Sequence, residues 1–296
     1  MVAARRCACA MSDPSRPRAC VTGWPVGHSR SPLNHGHWLR TYGIEGSYER
    51  VATPPGEFKR FAASIGVGGL RGANVTVPHK LAAFAVCDRR TSVAQAMGAV
   101  NTLWREGDVL WGDNTDAEGF LGNLDEGAPG WRREVRSAVI LGAGGAARAV
   151  VYGLLSAGLE RIAIINRTID RAEAVVEAFG PRLLVSRWSE APKWLGEADI
   201  LVNTTSLGMS GQGPLGIDIS NLRSGAVVAD VVYAPLETSL IRDARRQGFR
   251  AVGGLGMLLH QAAPGFERWF GIRPSITSEL RSLVEADVLG LGAKFS

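Results

Sequence analysis

Long apolar runs are missing from this chain. No stretch approaches the ~18–20 consecutive apolar residues that a membrane helix needs, and the longest apolar segments are short and flanked by glycine or charge. No helical membrane span is therefore expected. Cysteine is also scarce, with four residues, Cys7, Cys9, Cys20 and Cys87. Four cysteines at these spacings form no disulfide framework and fit a reducing cytoplasm. Cys7-Ala-Cys9 offers two thiolates where a structural metal site wants four ligands. His28, His35, His37, His79 and His260 lack acidic or cysteine partners at ligand spacing, so no metal is expected. Lysine is rarest among the basic residues: four, Lys59, Lys80, Lys193 and Lys294, leave 29 arginines of the 33 basic residues. A chain so biased towards arginine retains lysine where arginine does not serve. A lysine can release its proton at working pH and an arginine cannot.

Excess charge is lacking in the body of the chain. The formal net charge is +5, and residues 1–18 hold Arg5, Arg6, Arg16 and Arg18 against Asp13, a net +3 that leaves +2 for the rest. A nucleic-acid binder carries a dense basic stripe on its fold, so nucleic acid is not an expected partner. Residues 1–18 read as a disordered tail. They lack the 7–15-residue apolar segment of a secretory signal. Their arginine-rich, acid-poor makeup loosely resembles an organelle presequence, and Met11 is the expected true start.

What the 296 residues do contain is alternation. Single cores rarely grow past ~250–300 residues, so two domains are expected. Ala19–Gly23, Ser47–Ala52 and Gly72–Val77 read as strands, interleaved with helices over Pro32–Tyr42 and Glu57–Ser64 and one opening at Pro78. Val100–Arg105 and Val109–Trp111 read as a pair around Gly107-Asp108. This rhythm predicts a mainly parallel α/β sheet. A polar helix over Asp116–Leu124 leads to a loop with Gly127, Pro129 and Gly130, the candidate boundary. Ala138–Leu141, Ile162–Ile165, Leu183–Val185, Ile200–Val202 and Val227–Val232 then predict a doubly wound sheet. Helices over Leu258–Trp269 and Ser278–Ala286 follow.

Two sets of motifs carry chemistry. Ala138–Leu141 runs into Gly142-Ala143-Gly144-Gly145-Ala146-Ala147, a G-x-G-x-x-A turn between a strand and a helix. Its glycines let a pyrophosphate approach the backbone, and the helix N-terminus offers free N–H groups. The next strand ends in Asn166-Arg167-Thr168, with Arg171 one turn later and no acid at the place where an NAD site holds the ribose. A guanidinium grips a 2′-phosphate through paired hydrogen bonds, so the expected cofactor is NADP. In the first half, Ser29 and Ser31 in Gly23-Trp24-Pro25-Val26-Gly27-His28-Ser29-Arg30-Ser31-Pro32 put two hydroxyls beside a helix N-terminus, a carboxylate cradle. Gly72-Ala73-Asn74-Val75-Thr76-Val77-Pro78-His79-Lys80 brings Lys80 to a strand end. Gly98-Ala99-Val100-Asn101-Thr102 and Gly112-Asp113-Asn114-Thr115-Asp116 add an amide and carboxylates. Ligands of open α/β sheets gather at such strand ends.

The order and spacing of these segments resemble those of the shikimate dehydrogenases, within the shikimate/quinate dehydrogenase family. So do Asn203-Thr204-Thr205-Ser206-Leu207-Gly208-Met209, Asp230-Val231-Val232-Tyr233 and Gly254-Leu255-Gly256-Met257 through Gln261. The likeness spans residues 20–285. It departs at Gly253, where an acid is common, and at Gly36, where a polar amide is.

The resemblance implies two open α/β domains with the active site in the cleft between them. Residues 19–115, completed by 255–296, would bind substrate, and residues 116–254 would form a Rossmann-type NADP-binding domain. It implies NADPH-dependent, reversible reduction of 3-dehydroshikimate to shikimate in chorismate and aromatic amino acid biosynthesis. Lys80 is implied as acid/base with Asp116 beside it. Ser29, Ser31 and Tyr233 would lie about the substrate carboxylate, with Thr76 also lining the pocket and Asn101, Asp116 and Gln261 on the ring hydroxyls. Gly142, Ala143, Gly144, Gly145 and Ala146 would hold the pyrophosphate. Asn166, Arg167, Thr168 and Arg171 would hold the 2′-phosphate, and Val231 and Gly254 the nicotinamide. Two other readings fit the same residues: a catabolic quinate/shikimate dehydrogenase using NAD or NADP, and a non-catalytic NADP-binding regulator. Beyond small molecules, the partner considered is a second copy of the chain.

Overall fold

The structure is a computed structural model, and it describes residues 16–291. Cys7-Ala-Cys9, Met11 and most of the expected tail lie outside the described residues. Arg18 already belongs to the first strand, one residue before the expected start.

Among the described residues, twelve strands form two six-stranded sheets. The first sheet holds β1 (Arg18–Gly23), β2 (Ser47–Ala52), β3 (Leu70–Val75), β4 (Arg89–Arg90), β5 (Thr102–Glu106) and β6 (Val109–Asp113), in the order β2-β1-β3-β5-β6-β4. It is mainly parallel, as expected, with one strand reversed: β5 runs antiparallel to both β3 and β6. The reason is the turn at Gly107-Asp108. Glu106 pairs with Val109 across a two-residue loop, and such a loop can join only antiparallel strands. Edge strand β4 went unseen in the sequence because it is two arginines long.

The second sheet holds β7 (Ser137–Leu141), β8 (Arg161–Ile165), β9 (Leu183–Ser186), β10 (Ile200–Asn203), β11 (Val227–Asp230) and β12 (Arg250–Val252). All its pairings are parallel, in the doubly wound order β12-β11-β10-β7-β8-β9. Its strands are covered on both faces. Ala138 and Ile140 enter one apolar cluster with Phe120, Leu124 and Val150, while Val139 and Leu141 enter another with Leu195 and Leu240. Side chains alternate along a strand, so two buried faces demand an unbroken apolar run.

The chain returns to the first sheet at its end. The single helix expected over Leu258–Trp269 is two, Leu255–His260 and Ala263–Phe270. Pro264 explains the break: it has no N–H to donate, and its ring crowds the carbonyl four residues back. Phe266, Trp269, Leu280 and Val284 pack with Ala19, Val21 and Trp38, and the Trp269 indole N–H donates to the Leu103 carbonyl at 2.9 Å. The helix Asp116–Gly127 lies between the two halves. Its Gly119 meets the helix Leu255–His260 so closely that a Cβ there would stand 2.6 Å from Gln261 Cβ and 2.8 Å from the Met257 carbonyl. Its Phe120 and Leu124 join the second sheet's core. Among the described residues, no helix is long and apolar enough to cross a membrane.

Candidate active site

The ends of β1, β3 and β5 meet the start of the helix Asp116–Gly127 at one cleft of about 280 Å³. Lys80 opens the helix Lys80–Val86; Pro78, expected to open it, lies in the turn that precedes it, where the His79 N–H donates to the Thr76 carbonyl at 2.9 Å. Lys80 Nζ sits 2.6 Å from Asp116 Oδ2, with Lys80 about one-third exposed and Asp116 less so. The other carboxylate oxygen of Asp116 accepts from Asn101 Nδ2 at 2.8 Å. Asn101 is itself fixed, its Oδ1 accepting the Thr115 N–H at 2.9 Å. The Thr115 hydroxyl donates to the backbone carbonyl of Gln261 at 2.8 Å. Lysine, carboxylate, amide and glutamine thus share one chain of hydrogen bonds.

The cleft's other end is lined by hydroxyls. Ser29 and Ser31 stand 3.3 Å apart, oxygen to oxygen, at the start of the helix Ser31–Thr41, where the N-cap residue Arg30 gives no side-chain cap and the Ser31 N–H donates to Ser29 Oγ at 3.3 Å. Arg50 holds this loop by donating to the Ser29 carbonyl from Nε at 2.9 Å and Nη2 at 2.6 Å. Tyr233 faces the loop from the second sheet's side. All eight residues expected to bind substrate, Ser29, Ser31, Thr76, Lys80, Asn101, Asp116, Tyr233 and Gln261, line this one cleft. Ala146, Val231 and Gly254, expected to touch cofactor, line it too.

The remaining cofactor residues lie along the neighbouring strand ends. Gly142 takes a φ of +104°, and a Cβ there would reach 2.8 Å from the Thr204 hydroxyl. The helix Gly145–Ser156 starts with no side-chain cap at Gly144, and a Cβ on Gly144 or Gly145 would meet open space. Its first N–H groups are therefore available to an anion. The Gly142 N–H donates to the Ile165 carbonyl at 2.8 Å, which sets this turn beside Asn166. The Asn166 amide donates to the Thr168 carbonyl at 2.7 Å. Arg167, Thr168 and Arg171 are exposed, outside the cleft that holds Lys80.

The sequence reading assigned no role to several residues found here: Arg30, Asn74 and Leu258 on the cleft wall, Arg50 beneath it, and Thr115 in the hydrogen-bonded chain. Arg30 and Thr115 lie inside motifs already singled out, and proximity in sequence was their signal. Arg50 had none, since only the parallel pairing of β1 with β2 brings it under Ser29.

Fold and cleft define a two-domain α/β protein of the Rossmann type. Residues 21–103 match the shikimate dehydrogenase substrate binding domain, residues 131–209 match shikimate/quinate 5-dehydrogenase, and residues 254–278 match the shikimate 5′-dehydrogenase C-terminal domain. The chain is 54% identical over 270 residues to the NADP(+) shikimate dehydrogenase of Rhodopseudomonas palustris strain HaA2, covering 91% of this chain and 96% of the relative. Among solved structures, it is similar to the Thermus thermophilus shikimate 5-dehydrogenase in complex with NADP(H) and shikimate, with TM-score 0.77, 38% identity and coverage of 88% and 95%. It is also similar to the quinate dehydrogenase of Corynebacterium glutamicum in complex with NAD, with TM-score 0.83, 28% identity and coverage of 90% and 98%. The chain belongs to the shikimate dehydrogenase family.

Proposed function

We infer that this protein catalyses the reversible NADP-dependent interconversion of 3-dehydroshikimate and shikimate, in the supply of chorismate and the aromatic amino acids. The observation that carries this reading is Lys80 Nζ at 2.6 Å from Asp116, within a cleft whose lining also includes Ala146 from the glycine-turn helix. NADP would supply or take up the hydride. Its fit rests on the uncapped helix start at Gly145, the open space at Gly144 and Gly145, and the exposed Arg167 and Arg171 with no acid at the ribose position. Asn166 and Thr168 would complete the 2′-phosphate site, with Val231 and Gly254 beside the nicotinamide.

In the reductive direction the protonated Lys80 amine donates to the oxygen that develops negative charge, and in the oxidative direction the neutral amine takes that proton back. Asp116 holds the amine in place, and Asn101 holds Asp116. General acid–base help of this kind contributes ~10²–10⁴-fold in rate. Asn101, Asp116 and Gln261 receive the ring hydroxyls, while Ser29, Ser31 and Tyr233 receive the carboxylate end and Thr76 lines the pocket beside them.

The same reading divides the chain into residues 19–115 with 255–296 for substrate and 116–254 for NADP. Packing of the last helices on the first sheet supports it. A cytoplasmic location fits the free, buried thiols of Cys20 and Cys87. The near-neutral charge beyond residue 18 gives nucleic acid no electrostatic footprint. Every residue in the scheme comes from one chain, so a homodimer is not required to complete the site.

The test is steady-state oxidation of shikimate with NADP, against quinate and NAD. Faster turnover of quinate with NAD would favour the quinate reading, which the similarity to the Corynebacterium glutamicum enzyme keeps in view. NADP binding with no turnover of either acid would favour a non-catalytic regulator.

A further inference from the structure

The ionisable side chains of the cleft are unevenly distributed. Lys80 and Asp116 offset each other at one end. At the other end Ser29, Ser31 and Tyr233 offer only neutral hydroxyls, and Arg30 is the fixed charge among them. A carboxylate moved from water onto neutral hydroxyls alone loses hydration that dipoles replace poorly. An arginine corrects this, since its planar fork matches a carboxylate and stays charged at any working pH.

Arg30 is placed for that role. It lies between the two serines, and its side chain is 23% exposed, enough for a ligand to reach. Its Nε donates to Asp287 Oδ2 at 2.8 Å, which anchors it to the C-terminal helix Ser278–Val288. Its guanidinium carbon lies 5.8 Å from the centroid of the Tyr233 ring, on the second sheet's side of the cleft. Among the described residues, no hydrogen-bond acceptor takes Nη1 or Nη2. The head group is held from behind by one carboxylate while its far nitrogens remain available.

We propose that Arg30 is a specificity-determining residue, whose guanidinium supplies the positive charge that the substrate carboxylate meets at the Ser29–Ser31 end of the cleft. The proposal rests on the shikimate reading above, and the two fail separately. Absence of wild-type turnover of shikimate would overturn the activity reading. The Arg30 proposal is decided by comparing an acid with its neutral ester.

The experiment measures KM and kcat for shikimate and for shikimate methyl ester in the wild type, Arg30→Ala and Arg30→Lys, with shikimate binding followed by calorimetry. Thermal melting and NADP binding serve as controls for folding. Loss of a charge-assisted hydrogen bond predicts that Arg30→Ala weakens shikimate binding by about 10–100-fold, with kcat within about threefold of wild type because the contact is made in ground and transition states alike. The ester should respond less than about threefold, because it carries no charge to lose. Arg30→Lys should fall between, keeping the charge without the fork. Equal loss for acid and ester, or unchanged shikimate binding in Arg30→Ala with folding intact, would overturn the proposal.

Discussion

The two walls of the cleft are built in opposite ways. On the first sheet's side, Lys80, Asp116, Asn101, Thr115 and the Gln261 carbonyl are tied into one hydrogen-bonded chain. On the second sheet's side, the glycine turn opens onto space, the helix start is uncapped, and Arg167 and Arg171 stand exposed. One wall is organised before any ligand arrives, and the other leaves its donors free. The contrast fits a division of labour. Proton transfer needs a donor fixed within hydrogen-bond reach of its target, whereas a long anionic cofactor gains affinity from donors that nothing else occupies. Damage to the first wall should therefore appear in turnover, and damage to the second in cofactor affinity.

The sharpest way to break that contrast is to remove the amine. Lys80→Ala should lower kcat by ~10²–10⁴-fold, about 2.7–5.4 kcal/mol of barrier, with a much smaller change in shikimate binding. Lys80→Arg should do no better, since it retains charge but cannot release a proton at working pH. Asp116→Ala should harm both turnover and binding, because the carboxylate faces the cleft as well as the lysine. Rates for the three variants, with binding measured separately, decide it. Near-wild-type turnover in Lys80→Arg would make Lys80 a fixed charge, and the proton donor would have to lie elsewhere.

On the second wall the expected loss is smaller and of another kind. On the proposed role of Arg167 at the 2′-phosphate, Arg167→Ala should remove one charge-assisted contact, worth ~1.5–3 kcal/mol. The KM for NADP should rise by about 10–100-fold, while that for NAD barely moves and kcat holds. Titration with both cofactors separates the outcomes. Equal loss with NADP and NAD would detach Arg167 from the phosphate and remove the contrast.

Most of this arrangement is legible in the sequence, because both sheets are read through local patterns. A strand buried on both faces must be a continuous apolar run, and Ala138–Leu141 and Ile162–Ile165 are such runs. The glycine turn and Lys80 announce themselves through residue type at a strand end. What escaped depends on contacts between distant segments. β4 over Arg89–Arg90 and β12 over Arg250–Val252 have too few apolar residues to stand out. Arg50 reaches Ser29 only once β1 and β2 pair, and Arg30 meets Asp287 across 257 residues. Chemistry was written locally, and its support was written in the pairing.

The smallest expected effect concerns a place where the organised wall departs from its own rule. His35 and Asn34, on the helix behind Ser31, are fully buried, and among the described residues neither His35 ring nitrogen nor the Asn34 amide meets a hydrogen-bond partner within bonding geometry. His35 stacks on Tyr48 with ring centroids 3.8 Å apart, and the Tyr48 hydroxyl donates to Asn74 at 2.5 Å on the cleft wall. Burial pushes the His35 pKa down to about 3, with the Asn74 side chain opposing the shift. The unfolded chain takes up this proton below pH ~6.5 and the folded protein does not. Stability from His35 is therefore complete above that pH and is lost progressively as pH falls towards about 3. At 1.36 kcal/mol per pH unit, the loss between pH 7.5 and 4.5 is about 1–3 kcal/mol. His35→Phe keeps an aromatic ring against Tyr48 but has nothing to protonate, so its unfolding free energy should fall less over that interval, by about this amount. Urea unfolding of both proteins at the two pH values measures the difference, and carboxylates common to both cancel from it. Parallel losses would mean that His35 binds its proton in the folded protein too, and that the wall behind Ser31 holds a partner for it after all.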